Sequence, residues 1–222
     1  MKLSRSFGIA SLGALVLWIV KLYEYYTNTS FIYTLGLYPR SFFGIIGVFT
    51  SPLVHGDFFH LFSNTVPFII LGGGILFFYP LLAKKVFLYI YLLTGMSVWL
   101  FARPSYHIGS SGLIYGFAAF LFFSGIFRRD LKSIAVAIAV AFLYGGMITG
   151  LFPAGSGVSF ESHLLGAVVG SICAFSYKNI KADTEIEEKE NLPTPVFEGY
   201  RNIAGKSFKY EYKEGKEKVN TD

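Results

Sequence analysis

Apolar residues gather into six stretches along the chain: Ser6–Leu22, His60–Tyr79, Val86–Ala102, Gly109–Phe127, Ser133–Phe152 and Val158–Tyr177. Each is close to the ~20 residues that cross ~30 Å of hydrocarbon at 1.5 Å per residue. Most hold no Lys, Arg, Asp or Glu, and Glu161 stands near the start of the last, where the interface should lie. The pattern predicts an all-α polytopic membrane protein, a six-transmembrane-helix bundle over residues 1–178. Lys2 and Arg5 ahead of the first stretch fit a secretory leader. That stretch is long for a leader core, however, and Lys21-Leu22-Tyr23-Glu24-Tyr25-Tyr26 is a poor cleavage site. An uncleaved first helix is expected.

Composition agrees. Hydrophobic residues make up 53% of the 222 and charged ones 15%, where soluble domains carry roughly 25% charged residues. Mean hydropathy is +0.52. The net charge of +5 changes the picture only when divided. From Lys178 onward nine basic and ten acidic residues nearly cancel, so the basic excess belongs to the membrane part. There it reports topology, not nucleic-acid binding. Lys2, Arg5, Lys84, Lys85, Arg128, Arg129 and Lys132 fall on alternate connections, while Lys21, Arg40 and Arg103 fall on the others. By the positive-inside rule both termini are expected in the cytoplasm.

The connection from about Tyr23 to Phe59 is the longest, rich in Tyr and Phe and broken by Gly36, Pro39, Gly44 and Pro52. Such aromatic density predicts a segment lying in the membrane interface. Residues 179–222 mix charges with Pro193 and Pro195 and read as a flexible cytoplasmic tail. Cys173 is the single cysteine, so no intrachain disulfide can form. A lone helical cysteine is most often a packing residue.

Ionisable or polar groups within apolar helices are functional candidates. His60 and Asn64 stand at i and i+4, about 40° apart on one helix face. A zinc pair of His55 and His60 is disfavoured, because five residues on a helix point two rings roughly 140° apart. The i, i+4 histidines with an intervening glutamate of metalloprotease helices are also absent. No metal or other cofactor is expected. Further on, Gly109-Ser110-Ser111-Gly112 opens the fourth stretch, and Gly112 and Gly116 lay a small-residue face beside Ser111. His163 is followed by Gly166 and Gly170, about −60° and −20° from it, a second such face. Small residues let helix backbones approach closely. If the two faces pack, Ser111 and His163 come within hydrogen-bond reach.

Three signatures in this order, His60-xxx-Asn64, Gly109-x-Ser111-Gly112-xx-Tyr115-Gly116 and His163-xx-Gly166-xxx-Gly170, resemble those of the rhomboid intramembrane serine proteases. The likeness covers about residues 5–178 and not the tail. One departure is that many members carry a Trp-Arg pair in the first loop, where this chain has Pro39-Arg40 and no tryptophan. The resemblance implies Ser111 as nucleophile and His163 as general base and acid, a dyad without a carboxylate. It implies Asn64, His60 and the Ser111 backbone N–H as oxyanion donors, with Tyr115 holding the imidazole. Gly109, Gly112, Gly166 and Gly170 would support the site. Substrates would be transmembrane segments of other proteins, met in the lipid bilayer of a prokaryotic plasma membrane. The alternative within the family is a pseudoprotease that binds such clients without cutting them. A channel or small transporter is disfavoured because the ionisable residues gather near one face instead of lining a path. His55 is expected to hydrogen-bond loop backbone and His107 to be an ordinary loop residue. Gly145-Gly146, Gly150 and the Phe152–Gly157 loop are expected to make the fifth helix a movable cover.

Overall fold

The computed structural model describes residues 2–153 and 159–180, and beyond them the backbone of three strands. Its helices are α1 (Leu3–Thr27), α2 (Phe58–Phe78), α3 (Pro80–Phe101), α4 (Ser111–Arg128), α5 (Leu131–Tyr144) and α6 (Phe160–Ser176). The first four, and α5 taken through Leu151, are long and apolar enough to cross a membrane. The chain is thus an integral membrane protein. At 17 residues, α6 falls at the lower limit of spanning length.

Helix starts follow local chemistry. Asp57 caps α2 by accepting from the His60 N–H at 2.7 Å, and Asp130 caps α5 through Ser133 N–H at 2.8 Å. Ser159 caps α6 through Ser162 N–H. Each supplies an acceptor to an otherwise orphaned first-turn donor. Pro80 opens α3, where its missing N–H leaves no bond unmade.

The core is built around α4. Its Phe117 and Phe120 are buried with Leu71 and Ile75 of α2, Val86 and Ile90 of α3, and Val169 of α6. More than half of the α4 segment is inside, 56%, against 11% for Leu131–Leu151. α5 therefore leans on the bundle by one edge, and Phe142 and Leu143 stand exposed. In an integral membrane protein such apolar faces meet lipid.

Several boundaries differ from the apolar pattern. α1 continues past the apolar stretch, from Leu22 to Thr27; the ion pair of Lys21 with Glu24 lets the helix carry charge there. α3 starts six residues earlier than the apolar run, with Lys84 and Lys85 in its second turn. Hydrophobicity marks the lipid-facing length of a helix, while its hydrogen bonds extend past it. At Gly145 the backbone of α5 tightens into a 3₁₀ run, Gly145–Leu151. A Cβ added at Gly145 or Gly146 would meet nothing within 4 Å, so helix packing does not require these glycines. The long first connection contains a 3₁₀ turn, Ser30–Leu35, and short helical turns from Phe43 to Leu53. Arg40 fastens it by donating to the carbonyls of Leu100 and Ala102 at the end of α3. Trp99 of α3 donates in return to the Ser41 carbonyl at 3.0 Å.

Residues 183–222 form a separate unit. Its strands β1 (Phe197–Ile203), β2 (Lys206–Lys213) and β3 (Lys216–Asn220) make an antiparallel meander, with Phe197 opposite Tyr212 and Lys213 opposite Lys216. These strands lie within the extension expected to be a flexible tail. The sequence signal is brief, Phe208, Tyr210 and Tyr212 at alternate positions, with Gly205 and Gly215 falling between strands.

Candidate active site

Ser111 is the first residue of α4 and His163 lies in the first turn of α6. The two helices meet along their glycines: a Cβ on Gly166 would run into the Gly112 carbonyl, and one on Gly170 into that of Gly116. This contact brings the His163 Nε2 to 2.8 Å from the Ser111 Oγ. The other ring nitrogen, Nδ1, lies 2.9 Å from the Gly150 carbonyl. A carbonyl only accepts, so Nδ1 carries the proton and Nε2 is left to accept from the serine hydroxyl. Tyr115, one turn along from Ser111, stacks flat on the imidazole, with centroids 4.2 Å apart and planes at 9°. Its hydroxyl donates to the Met147 carbonyl at 2.7 Å. The 3₁₀ run after α5 thus supplies acceptors to both rings.

Opposite the imidazole lie His60 and Asn64 of α2. Gly109 has φ 100°, a left-handed value natural only to glycine. A Cβ there would sit 2.8 Å from the His60 ring and 3.6 Å from Asn64 Nδ2. Asn64 is buried, and its Nδ2 has no hydrogen-bond partner among the described residues. Such an orphan is costly and calls for an explanation in what the group does. A cavity of about 770 Å³ opens between these groups, lined by His60, Asn64, Ser111, Tyr115 and His163 with Arg103 at its side. Arg103 pairs with Glu161 at 3.3 Å.

Two histidines prove more engaged than their loop positions suggest. His55 is 1% exposed. Its Nδ1 faces the Leu53 carbonyl, and its Nε2 lies 3.4 Å from both the N–H and the Oγ of Ser110. Its ring meets that of His60 edge-on, with centroids 5.1 Å apart. His107 is also buried; its Nδ1 lies 2.5 Å from the hydroxyl of Ser159, the cap of α6. It thereby ties the loop before Ser111 to the helix carrying His163, and burial lowers its pKa. Neither residue carries a sequence signal of this role, since both contacts join segments about fifty residues apart.

Burial pushes the His55 pKa from 6.5 down to about 4. The unfolded chain then takes up this proton first as pH falls, so stability is full above about 6.5 and declines toward about 4. The loss at low pH is on the order of 3 kcal/mol. His55→Gln, which keeps an acceptor and does not titrate, should flatten the fall of melting temperature between these pH values. An unchanged slope would place its origin elsewhere.

A family model described as Rhomboid domain matches residues 43–179. The chain belongs to the rhomboid family. Among curated proteins it is 37% identical over 153 residues to the uncharacterized protein Rv1337 of Mycobacterium tuberculosis, covering 63% of this chain and 62% of the relative. The uncharacterized protein Mb1372 of Mycobacterium bovis matches with the same figures. The uncharacterized protein ML1171 of Mycobacterium leprae is 34% identical over 142 residues, 58% of this chain and 55% of its own length. The aligned part is therefore about three fifths of these relatives' length.

Proposed function

We propose that this rhomboid is an intramembrane serine endopeptidase that cleaves transmembrane segments of other membrane proteins with a Ser111–His163 dyad. The observation carrying this reading is the oriented pair itself, Ser111 Oγ at 2.8 Å from an Nε2 whose ring is held by the Gly150 carbonyl. A serine hydroxyl is a weak nucleophile until an adjacent base accepts its proton. His163 takes that proton as Oγ attacks the scissile carbonyl, then passes it to the leaving amine as the C–N bond breaks. Water, activated by the same imidazole, hydrolyses the acyl-enzyme and regenerates Ser111.

The orphaned Asn64 Nδ2, His60 and the Ser111 backbone N–H are the donors for the developing oxyanion. A donor that gains its partner only in the transition state lowers the barrier without tightening substrate binding. Hydrolysis needs water that lipid does not supply, and the cavity, with Asp57, His60, Asn64 and Ser111 in its wall, can hold it. A substrate helix must unwind locally, because its carbonyls and N–H groups are already paired. The reading places the site near the non-cytoplasmic face of a prokaryotic plasma membrane, with both termini cytoplasmic. The weakly packed α5, which passes into a 3₁₀ run at Gly145, is the natural element to move aside, although residues 154–158 of the following loop lie outside the described residues.

A fluorophosphonate probe tests the reading. Wild type and Ser110→Ala should be labelled and should cleave a transmembrane substrate, and Ser111→Ala should do neither. Asn64→Ala should label and cleave roughly 10²- to 10³-fold more slowly. An unlabelled but folded wild type would instead mark a client-binding pseudoprotease.

A further inference from the structure

The bundle contains a second buried polar cluster that the dyad does not use. Lys21 and Glu24 of α1 are 6% and 9% exposed. Burying an ion pair is unfavourable unless its remaining hydrogen-bonding capacity is filled. Here it is filled from another part of the chain. Lys21 Nζ lies 3.0 and 3.2 Å from the two Glu24 carboxylate oxygens and 3.0 Å from the carbonyls of both His55 and Gly56. An ammonium has three N–H groups. One can be shared by the carboxylate, leaving one for each carbonyl. Tyr33 adds a second donor to the Gly56 carbonyl at 2.9 Å.

The peptide gripped in this way adjoins the oxyanion side of the site. Gly56 precedes Asp57, the cap of α2, whose carboxylate accepts from the His60 N–H. The His55 side chain faces Ser110 through Nε2 and packs edge-on against His60. His60 in turn leaves room at Gly109 for glycine alone. Movement of residues 55–57 therefore changes where His60 stands relative to Ser111, while the Ser111–His163 contact is held separately by the glycines of α4 and α6.

Building on the protease reading, we propose that Lys21 is a positioning residue: from α1 it holds the His55–Gly56 peptide, and so the α2 oxyanion donors, in register with Ser111. Glu24 neutralises it and keeps the ammonium aimed at the two carbonyls. The expected signature differs from that of a residue that only fastens α1. Loss of fastening lowers the fraction of folded enzyme, whereas loss of register slows each folded molecule.

The test compares wild type, Lys21→Met and Tyr33→Phe in detergent. It follows the rate and endpoint of fluorophosphonate labelling, and kcat, KM and the pH profile for a transmembrane substrate. Lys21→Met should keep the labelling endpoint, KM and the pH midpoint, while the labelling rate and kcat fall about tenfold or more. Tyr33→Phe, which removes one hydrogen bond, should lower the same two quantities about threefold. A reduced endpoint with an unchanged rate, a shift confined to KM, or wild-type rates in both variants would overturn the proposal. If Lys21→Met does not fold, Tyr33→Phe decides by the same criteria. Failure of wild type to label at Ser111 would overturn the protease reading and this inference together, whereas normal wild-type labelling with unaffected variants would sink the inference alone.

Discussion

Replacing His163 by alanine should lower kcat/KM by roughly 10⁴-fold or more, and adding Ser111→Ala should lower it little further. Nucleophile and base act as one unit, so removing either forfeits nearly all that both provide, and the residue of catalysis comes from oxyanion donors and substrate binding. The geometry makes this dyad depend on one tautomer. Nδ1 is committed to the Gly150 carbonyl, so Nε2 faces the Ser111 hydroxyl as an acceptor. Stacking on Tyr115 fixes the plane of the ring. The measurement is turnover of a transmembrane substrate by the single and double variants at matched folded concentration. If the effects of the two substitutions multiplied, Ser111 and His163 would be acting independently and the dyad assignment would fail.

The second large effect concerns the helix contact beneath the dyad, and it is asymmetric. Gly166→Ala places a methyl group against the Gly112 carbonyl, 2.9 Å from its carbon, where the obstacle is backbone and cannot rotate away. Gly170→Ala meets the Gly116 carbonyl in the same manner. Gly112→Ala meets its nearest neighbours, the Ser162 carbonyl oxygen and Thr94 Cγ2, at 3.1 and 3.3 Å, distances that small shifts relieve. Overpacking commonly destabilises by about 1–3 kcal/mol. Gly166→Ala and Gly170→Ala belong at or above the top of that range, and Gly112→Ala near its bottom. Separating α4 from α6 by about 1 Å should also cost about 10²-fold in turnover, since the reacting groups are carried on opposite sides of the contact. Melting temperature in detergent and substrate cleavage should rank the variants in this order. Equal tolerance at Gly112 and Gly166 would mean that the helices re-pack freely and that the glycine contact does not position the dyad.

How much of this was legible beforehand varies by kind of feature. Local spacing determined the helical, membrane-embedded character of the chain, because each crossing must bury its own backbone polar groups in a run of apolar residues. Spacing also paired His60 with Asn64, and Gly166 and Gly170 with His163, since a helix fixes which residues share a face. The ends of the helices were less legible: α1 extends past Leu22 to Thr27, with Lys21 and Glu24 joined in a buried ion pair that hydropathy does not register. The strands β1 to β3 carry only a few alternating aromatics among many charges, which is a weak signal.

What only the tertiary structure decided is the set of partners joined across the chain. The Gly150 carbonyl behind His163, the Met147 carbonyl on Tyr115, and the Lys21 grip on the His55 and Gly56 carbonyls are all side chain to backbone contacts. Every residue but proline presents the same backbone groups, so no residue type announces which carbonyl will be used. The ranking of Gly166 above Gly112 has the same origin. Two identical residues differ only in how closely rigid backbone stands against them, and that is settled when α4 and α6 pack.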